Sequence, residues 1–399
     1  MITVNFVGAG LLPVPVASDK LFPVQLAPLL EQRGLGVRFL SITESPPGDL
    51  EPAPALTYLP RIAHRDDTRF YTVDQAGRPI GYHHVHGPLR QTAELGLTLL
   101  ARRGLVRSTG TPTVYHWLDI STVLPALRAA VAPGAAIVAS AQHWVPRGGV
   151  NDAARARSYS FADVVLAGTA AAARAIRAAG CRAPLVAAVP WGSKGVTPSA
   201  VPAEPTGPLR LLWTGYIRQI DHQDFLLAHR IALLVTERRR DVEFTFCFKP
   251  QFYEESLRSF ERERVRVIPG DSSFVERLPG YDAMLSPTLQ SGSTMAPPLA
   301  WIEALSAGLP ILTTPTAGIE EIVADGRWGM VAPDAEALAA RLSASCATAE
   351  LRSMRTAARA EFERRYALEV VADDMERVYR WLGEGRAAGK KPPVEEAGW

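Results

Sequence analysis

Cysteine is scarce in this 399-residue chain: Cys181, Cys247 and Cys346 are far apart and form no metal-like spacing. An odd count this low excludes a disulfide framework and fits a reducing compartment. Charge of one sign is also lacking, since the formal net charge is +2, so no basic field points to nucleic acid or to a membrane surface. No run approaches the roughly 18 unbroken apolar residues that a membrane span needs. Met1 to Ala17 has no Lys or Arg ahead of its apolar run, and Pro13 and Pro15 interrupt it. Thr3 to Gly8 is therefore read as a first buried strand rather than part of a signal peptide, and a cytoplasmic location is expected.

What is present is a globular composition, 47% hydrophobic and 21% charged, in a chain long enough for two cores. Apolar runs at Ile2–Val7, Val37–Ser41, Val114–Trp117, Ala136–Ser140, Val164–Ala167 and Val186–Val189 alternate with helical patterns, the first near Leu21–Arg33. Such alternation predicts a parallel sheet wrapped by helices. Arg61 to His86 is polar, aromatic and rich in His, and reads as a hairpin or a long loop. Ser193 to Pro208 has the composition of a linker. The alternation then restarts at Leu209–Thr214, Glu243–Phe248, Arg264–Ile268, Ala283–Ser286, Ile311–Thr314 and Met330–Ala332. Helices are expected at Ala335–Cys346, Glu350–Tyr366 and Leu368–Leu382. The predicted domains are 1–195 and 206–366, each α/β and Rossmann-like, with a disordered tail over 383–399.

The segment from Ser286 to Val331 carries the most chemistry. A strand ends in Ser286-Pro287, a Gly/Ser/Thr turn follows, and an apolar-faced helix opens between Met295 and Leu299 with Glu303 inside it. The first amides of a helix lack intrahelical partners and sit at its positive end, so Ser293, Thr294, Met295 and Ala296 are candidates for holding an anion. Gly308-Leu309-Pro310 breaks the chain, Ile311-Leu312-Thr313 reads as a buried strand, and a loop containing Gly318 leads to a second helix with Glu320 and Glu321. This is half of a nucleotide-binding crevice.

The segment closely resembles the donor-site signature of retaining glycosyltransferases of family 4. The resemblance rests on Ser286-Pro287, on Glu303-Ala304-Leu305-Ser306-Ala307-Gly308-Leu309-Pro310-Ile311-Leu312, on Ala317-Gly318-Ile319-Glu320-Glu321-Ile322-Val323 and on Gly329-Met330-Val331, in order and at the family's spacing. It implies a GT-B fold, two Rossmann-like βαβ domains facing a cleft, with the C-terminal helix near 368–382 returning to the first domain. It also implies that Glu303 holds the ribose hydroxyls of a nucleoside diphosphate sugar and that Glu321 is in register with the family's later Glu. The family's E-x₇-E pattern would put its first Glu at position 295, where this chain has Met295.

Candidate catalytic residues lie at strand ends, where open α/β sheets take their ligands. His143 follows Ala136–Ser140 and resembles the family's strand-end His facing acceptor and donor sugar; the alternative is a loop His packed on Trp144. Gly215 ends the first strand of the second domain, and after it the family's Arg and Lys positions hold Tyr216 and Asp221. Arg218 and Lys249 are the substitute cations, each weighed against an ordinary surface charge. No Asp-x-Asp motif occurs, so no metal is expected and positive charge must come from side chains and helix amides. The His83-His84-Val85-His86 cluster lacks paired zinc spacing. Gly8-Ala9-Gly10 lacks the third glycine of a dinucleotide fingerprint, so no such cofactor is expected.

Together these readings predict a metal-independent, retaining glycosyltransferase that moves a sugar from a nucleoside diphosphate to a small-molecule acceptor, with a secondary metabolite as the guess. Two alternatives stay open: a nucleotide-sugar epimerase of the same fold, and a catalytically inactive nucleotide-sugar-binding partner protein.

Overall fold

The structure, a computed structural model, describes residues 1–9, 18–43, 56–60, 70–73, 79–83, 95–96, 98–101, 103–106, 113–118, 121–142, 144, 150–196, 207–215, 221–248, 253, 255–270, 274–288, 296–385 and 391–392. They divide between two compact units. The first comprises Met1–Asp66, His86–Ser193 and Leu368–Trp399, and the second Asp67–Val85 and Lys194–Ala367.

Seven parallel strands form the sheet of the first unit: β1 (Thr3–Ala9), β2 (Gly36–Thr43), β3 (Leu56–Pro60) and, after the antiparallel hairpin β4 (Phe70–Val73) and β5 (Pro79–His83), β6 (Thr113–Trp117), β7 (Ala136–Ala141), β8 (Val164–Ala167) and β9 (Leu185–Ala188). Their order is β3-β2-β1-β6-β7-β8-β9, so the direction of winding reverses between β1 and β6. Every residue of β7 and β8 is buried, as expected of parallel strands covered on both faces. The helices that cover this sheet include α1 (Ser18–Gln32), α2 (Leu124–Ala130), α3 (Val150–Tyr159) and α4 (Ala170–Ala178). Thr169 starts α4 by accepting a hydrogen bond from the Ala172 amide at 3.1 Å.

In the second unit β10 (Leu209–Gly215), β11 (Val242–Phe248), β12 (Val265–Pro269), β13 (Ala283–Leu285), β14 (Ile311–Thr313) and β15 (Gly329–Val331) are again all parallel, in the order β12-β11-β10-β13-β14-β15. That is the doubly wound order, with its switch point between β10 and β13. Around it lie α5 (Asp221–Arg238), α6 (Leu299–Ser306), α7 (Ala335–Ser343), α8 (Ala347–Ser353) and α9 (Arg355–Arg365).

The last long helix, α10 (Leu368–Arg380), belongs to the first unit, with Leu368, Val371, Ala372, Met375, Val378 and Tyr379 entering its core beside Val4, Phe6, Val114 and Val138. The spacing is that of one helical face. Beneath α10 sits His116, fully buried on β6, with Nδ1 2.6 Å from the Tyr379 hydroxyl and Nε2 2.8 Å from Ser140 Oγ. Burial lowers its pKa from 6.5 to about 3, so the ring is neutral. Burial holds the Tyr379 phenol protonated, and it is the natural donor to Nδ1, leaving Nε2–H to donate to Ser140.

Several local expectations change. β1 runs through Ala9, one residue past the expected end at Gly8. β3 is a strand that the sequence reading did not mark. Helical structure continues to Gly385, past the expected start of the tail at 383, while 386–390 and 393–399 lie outside the described residues. The helix expected to carry Glu320 and Glu321 is one 3₁₀ turn, Ile319–Glu321. One turn has no aligned macrodipole, so those carboxylates gain no stabilisation from a helix terminus.

Candidate functional site

The candidate site is built on the carboxyl edge of the second sheet, where β10, β13 and β14 lie side by side and their loops flank the switch point. β13 hands over to Ser286-Pro287-Thr288, and α6 begins only at Leu299, because Pro297 and Pro298 stand directly before it. Proline has no amide hydrogen, and the Trp301 amide already bonds the Pro298 carbonyl at 2.9 Å. The helix-start amides without an intrahelical acceptor are therefore those of Leu299 and Ala300. Ala296, an expected anion contact, sits ahead of the helix, half-buried.

Leu299, Trp301, Ile302, Ala304, Leu305 and Ser306 of α6 are buried, and only Ala300 and Glu303 are half-exposed. Three residues apart, those two share a face. Glu303 thus supplies the single carboxylate of a helix that is otherwise core. The far end of α6 is fastened by a left-handed Gly308, φ 71°, with Gly308 N–H to Leu305 O at 2.9 Å and Leu309 N–H to Ala304 O at 2.9 Å. Two guanidiniums from α9 also reach this negative end: Arg355 Nη2 donates to Ala307 O at 3.4 Å, and Arg359 Nη1 donates to Ser306 O. Burial lowers the Arg355 pKa, with nearby Asp282 opposing.

The linker is tied to the same helix end. The Val196 amide donates to Ser306 Oγ at 2.9 Å, Ser306 Oγ donates to Glu303 O at 2.6 Å, and Arg359 Nη1 donates to Val196 O at 3.0 Å. Between them Gly195 has φ 61° and no room for a side chain: a Cβ would lie 2.5 Å from Ser306 Cβ and 2.6 Å from Phe362 Cζ.

The loops after β13 and β14 are locked by one hydroxyl. Thr314 Oγ1 accepts from the Thr288 amide at 2.9 Å and donates to the Thr288 carbonyl at 2.5 Å. Beyond it, Gly318 takes φ 78°, the Glu321 amide bonds Gly318 O at 3.1 Å, and Arg365 Nη1 donates to Glu321 O at 2.7 Å. Arg365 is held in turn by the buried Glu361 at 3.2 Å. Glu321 is half-buried and Glu320 exposed.

Gly215 ends β10 for a packing reason: a Cβ there would lie 2.7 Å from the Trp213 ring, which packs at tilted angles against Phe225, Phe246 and Phe248. His143, Arg218, Lys249, Ser293, Thr294 and Met295 lie outside the described residues, as do His84 and His86. Among the described residues no three His, Cys, Asp or Glu side chains gather as a metal site, and no helix is long and apolar enough to cross a membrane. The sequence reading missed Thr288, Thr314, Arg355 and Arg359. Hydroxyl residues directly after two buried strands were the available signal for the first pair; the arginines gave none.

Residues 208–347 match the family model described as glycosyl transferases, group 1. The fold is GT-B: the chain is similar to a sucrose-phosphate synthase from Thermosynechococcus elongatus, with TM-score 0.69 and 16% identity over 97% of this chain and 100% of that one. It is similar as well to Anabaena HepE solved with UDP and glucose (TM-score 0.61, 12% identity, 93% and 97% covered). A third is the pneumococcal O-GlcNAc transferase GtfA with UDP and GlcNAc (TM-score 0.66, 11% identity, 96% and 99% covered). No curated protein sequence matches the chain.

Proposed function

We propose that this chain is a retaining glycosyltransferase that moves a sugar from a nucleoside diphosphate to a small acceptor. The second unit binds the nucleotide and the first binds the acceptor. The observation that carries the reading is α6: inside the segment matching group 1 glycosyltransferases, a helix starts at the carboxyl edge of the sheet beside the switch point and carries a single charged side chain, the half-exposed Glu303. In this reading the amides of Leu299 and Ala300 face the diphosphate, and the Glu303 carboxylate accepts the ribose hydroxyls. The Thr288–Thr314 bonds keep the two flanking loops in place, so the site is formed before the ligand arrives. His143, Arg218 and Lys249 remain the residues proposed to act at the sugar and the leaving group.

Calorimetry with UDP, GDP, dTDP and ADP, followed by turnover of the matching nucleotide sugars, tests the reading. Absence of binding by all four would overturn it, and binding without turnover would favour an inactive partner protein. Glu303→Ala is expected to weaken nucleotide binding by at least about tenfold, because charge-assisted bonds contribute about 1.5–3 kcal/mol each. An unchanged affinity in a folded variant would remove Glu303 from the site. Turnover is also expected to survive dialysis against a chelator, since helix amides and side-chain cations supply the charge. Loss of activity restored by magnesium or manganese would assign that role to a metal.

A further inference from the structure

The first unit holds two buried, unpartnered polar atoms within three residues. β7 ends at Ala141, and beyond it Gln142 and Trp144 are each 1% exposed. Neither Gln142 Oε1 nor Trp144 Nε1 has a hydrogen-bond partner among the described residues. An unmet buried polar atom costs about 1–3 kcal/mol, so two so close together call for a compensating ligand.

Both atoms point in fixed directions. Gln142 Nε2 donates to the Val189 carbonyl at 3.4 Å, and since a carbonyl only accepts, the amide cannot flip to hide its oxygen there. The Trp144 ring lies under the Arg155 guanidinium, 4.4 Å from the ring centroid, and edge-on to Tyr159 at 6.0 Å. Arg155 is held by Asp152 at 3.3 Å, and the Tyr159 hydroxyl donates to Ser140 O at 3.4 Å. An acceptor and a donor are thus fixed two residues apart, with Cα atoms no more than about 7 Å apart, at a strand's carboxyl end.

We propose that Gln142 and Trp144 are acceptor-binding residues of the first unit and that the acceptor is a neutral polyhydroxylated molecule. This rests on the glycosyltransferase reading and sharpens it. A hydroxyl can donate to the Gln142 oxygen and accept from the Trp144 indole. An ammonium has nothing with which to accept from the indole, and a carboxylate or phosphate dianion has no proton for the amide oxygen.

The experiment uses the full chain with ¹⁵N-labelled indoles, saturated with UDP, and Trp144→Phe identifies the Trp144 resonance. Glucose, myo-inositol and glycerol are the neutral probes; putrescine and succinate are the charged ones, each at matched concentration. The expected result is a Trp144 indole shift with a neutral polyol and none with putrescine or succinate. Trp144→Phe and Gln142→Leu should each weaken polyol binding by at least about fivefold and leave UDP affinity unchanged. The proposal is overturned if no neutral polyol moves the resonance, or if both variants bind the polyol as tightly as the parent. Failure of UDP to bind would instead count against the glycosyltransferase reading.

Discussion

The first unit is expected to lose about 2 kcal/mol of stability between pH 6.5 and pH 5, and His116 is the cause. Its folded pKa lies near 3 and its unfolded value near 6.5, so the unfolded chain takes up a proton in this range and the folded chain does not. A depressed folded pKa gives stability that is complete above 6.5 and drains away as pH falls toward 3, about 1.4 kcal/mol per unit. The full loss is about 5 kcal/mol, comparable with the whole stability of an ordinary domain. Hydrogen exchange at the amides of β1, β6 and β7 is the right measurement, because His229 in the second unit is also lowered by burial and would blur a whole-chain melt. His116→Phe should be less stable at pH 7.5, leaving Tyr379 and Ser140 without their bonds, yet nearly flat between pH 6.5 and 5. A variant with the parental slope would show that another group titrates.

Gly195→Ala should lower the stability of the second unit by about 3 kcal/mol. Left-handed backbone costs an alanine about 1–2 kcal/mol, and forcing a methyl group into a filled space adds about 1–3. The overlap falls on Ser306 and Phe362, so the Val196–Ser306 bond is the first contact to go. For a unit of this size the melting temperature should drop by about 6–12 °C. Gly134→Ala is the control, with φ 84° and nothing within 4 Å of the added carbon. Equal losses in the two variants would mean that the space beside Ser306 is not filled in solution. Because Ser306 ends the helix that carries Glu303, nucleotide affinity is expected to fall in Gly195→Ala and not in the control.

Strands were the legible part of this sequence because a parallel strand covered on both faces must be apolar throughout. Ala-Ile-Val-Ala-Ser and Val-Val-Leu-Ala announce themselves for that reason. β3 escaped notice since Leu56–Pro60 is short and proline-bounded, as strands at a sheet's edge can be. The start of α6 was bracketed but not fixed: apolar periodicity shows that a helix is there, while Pro297-Pro298 decide which amides it offers. Glu320 and Glu321 looked helical from composition, and the structure gives them a single 3₁₀ turn behind the left-handed Gly318. The supports of α6 were illegible for a different reason. Arg355 and Arg359 sit about fifty residues along the chain from the carbonyls they hold, and an arginine on an amphipathic helix looks the same whether it meets solvent or a helix end.

The place of α10 sets an order of assembly during synthesis. Residues 209–354 supply the second core, and all of them leave the ribosome ahead of Leu368. The first core, although most of it is made earlier, lacks Val371, Met375 and Tyr379 until they too emerge, and until then the His116 ring has no phenol above it. Nascent domains ordinarily fold from the N-terminus onward. Here the later-made unit can close first, while the earlier one waits with apolar surface open, which makes the interval before Tyr379 emerges the period when a chaperone has most to cover.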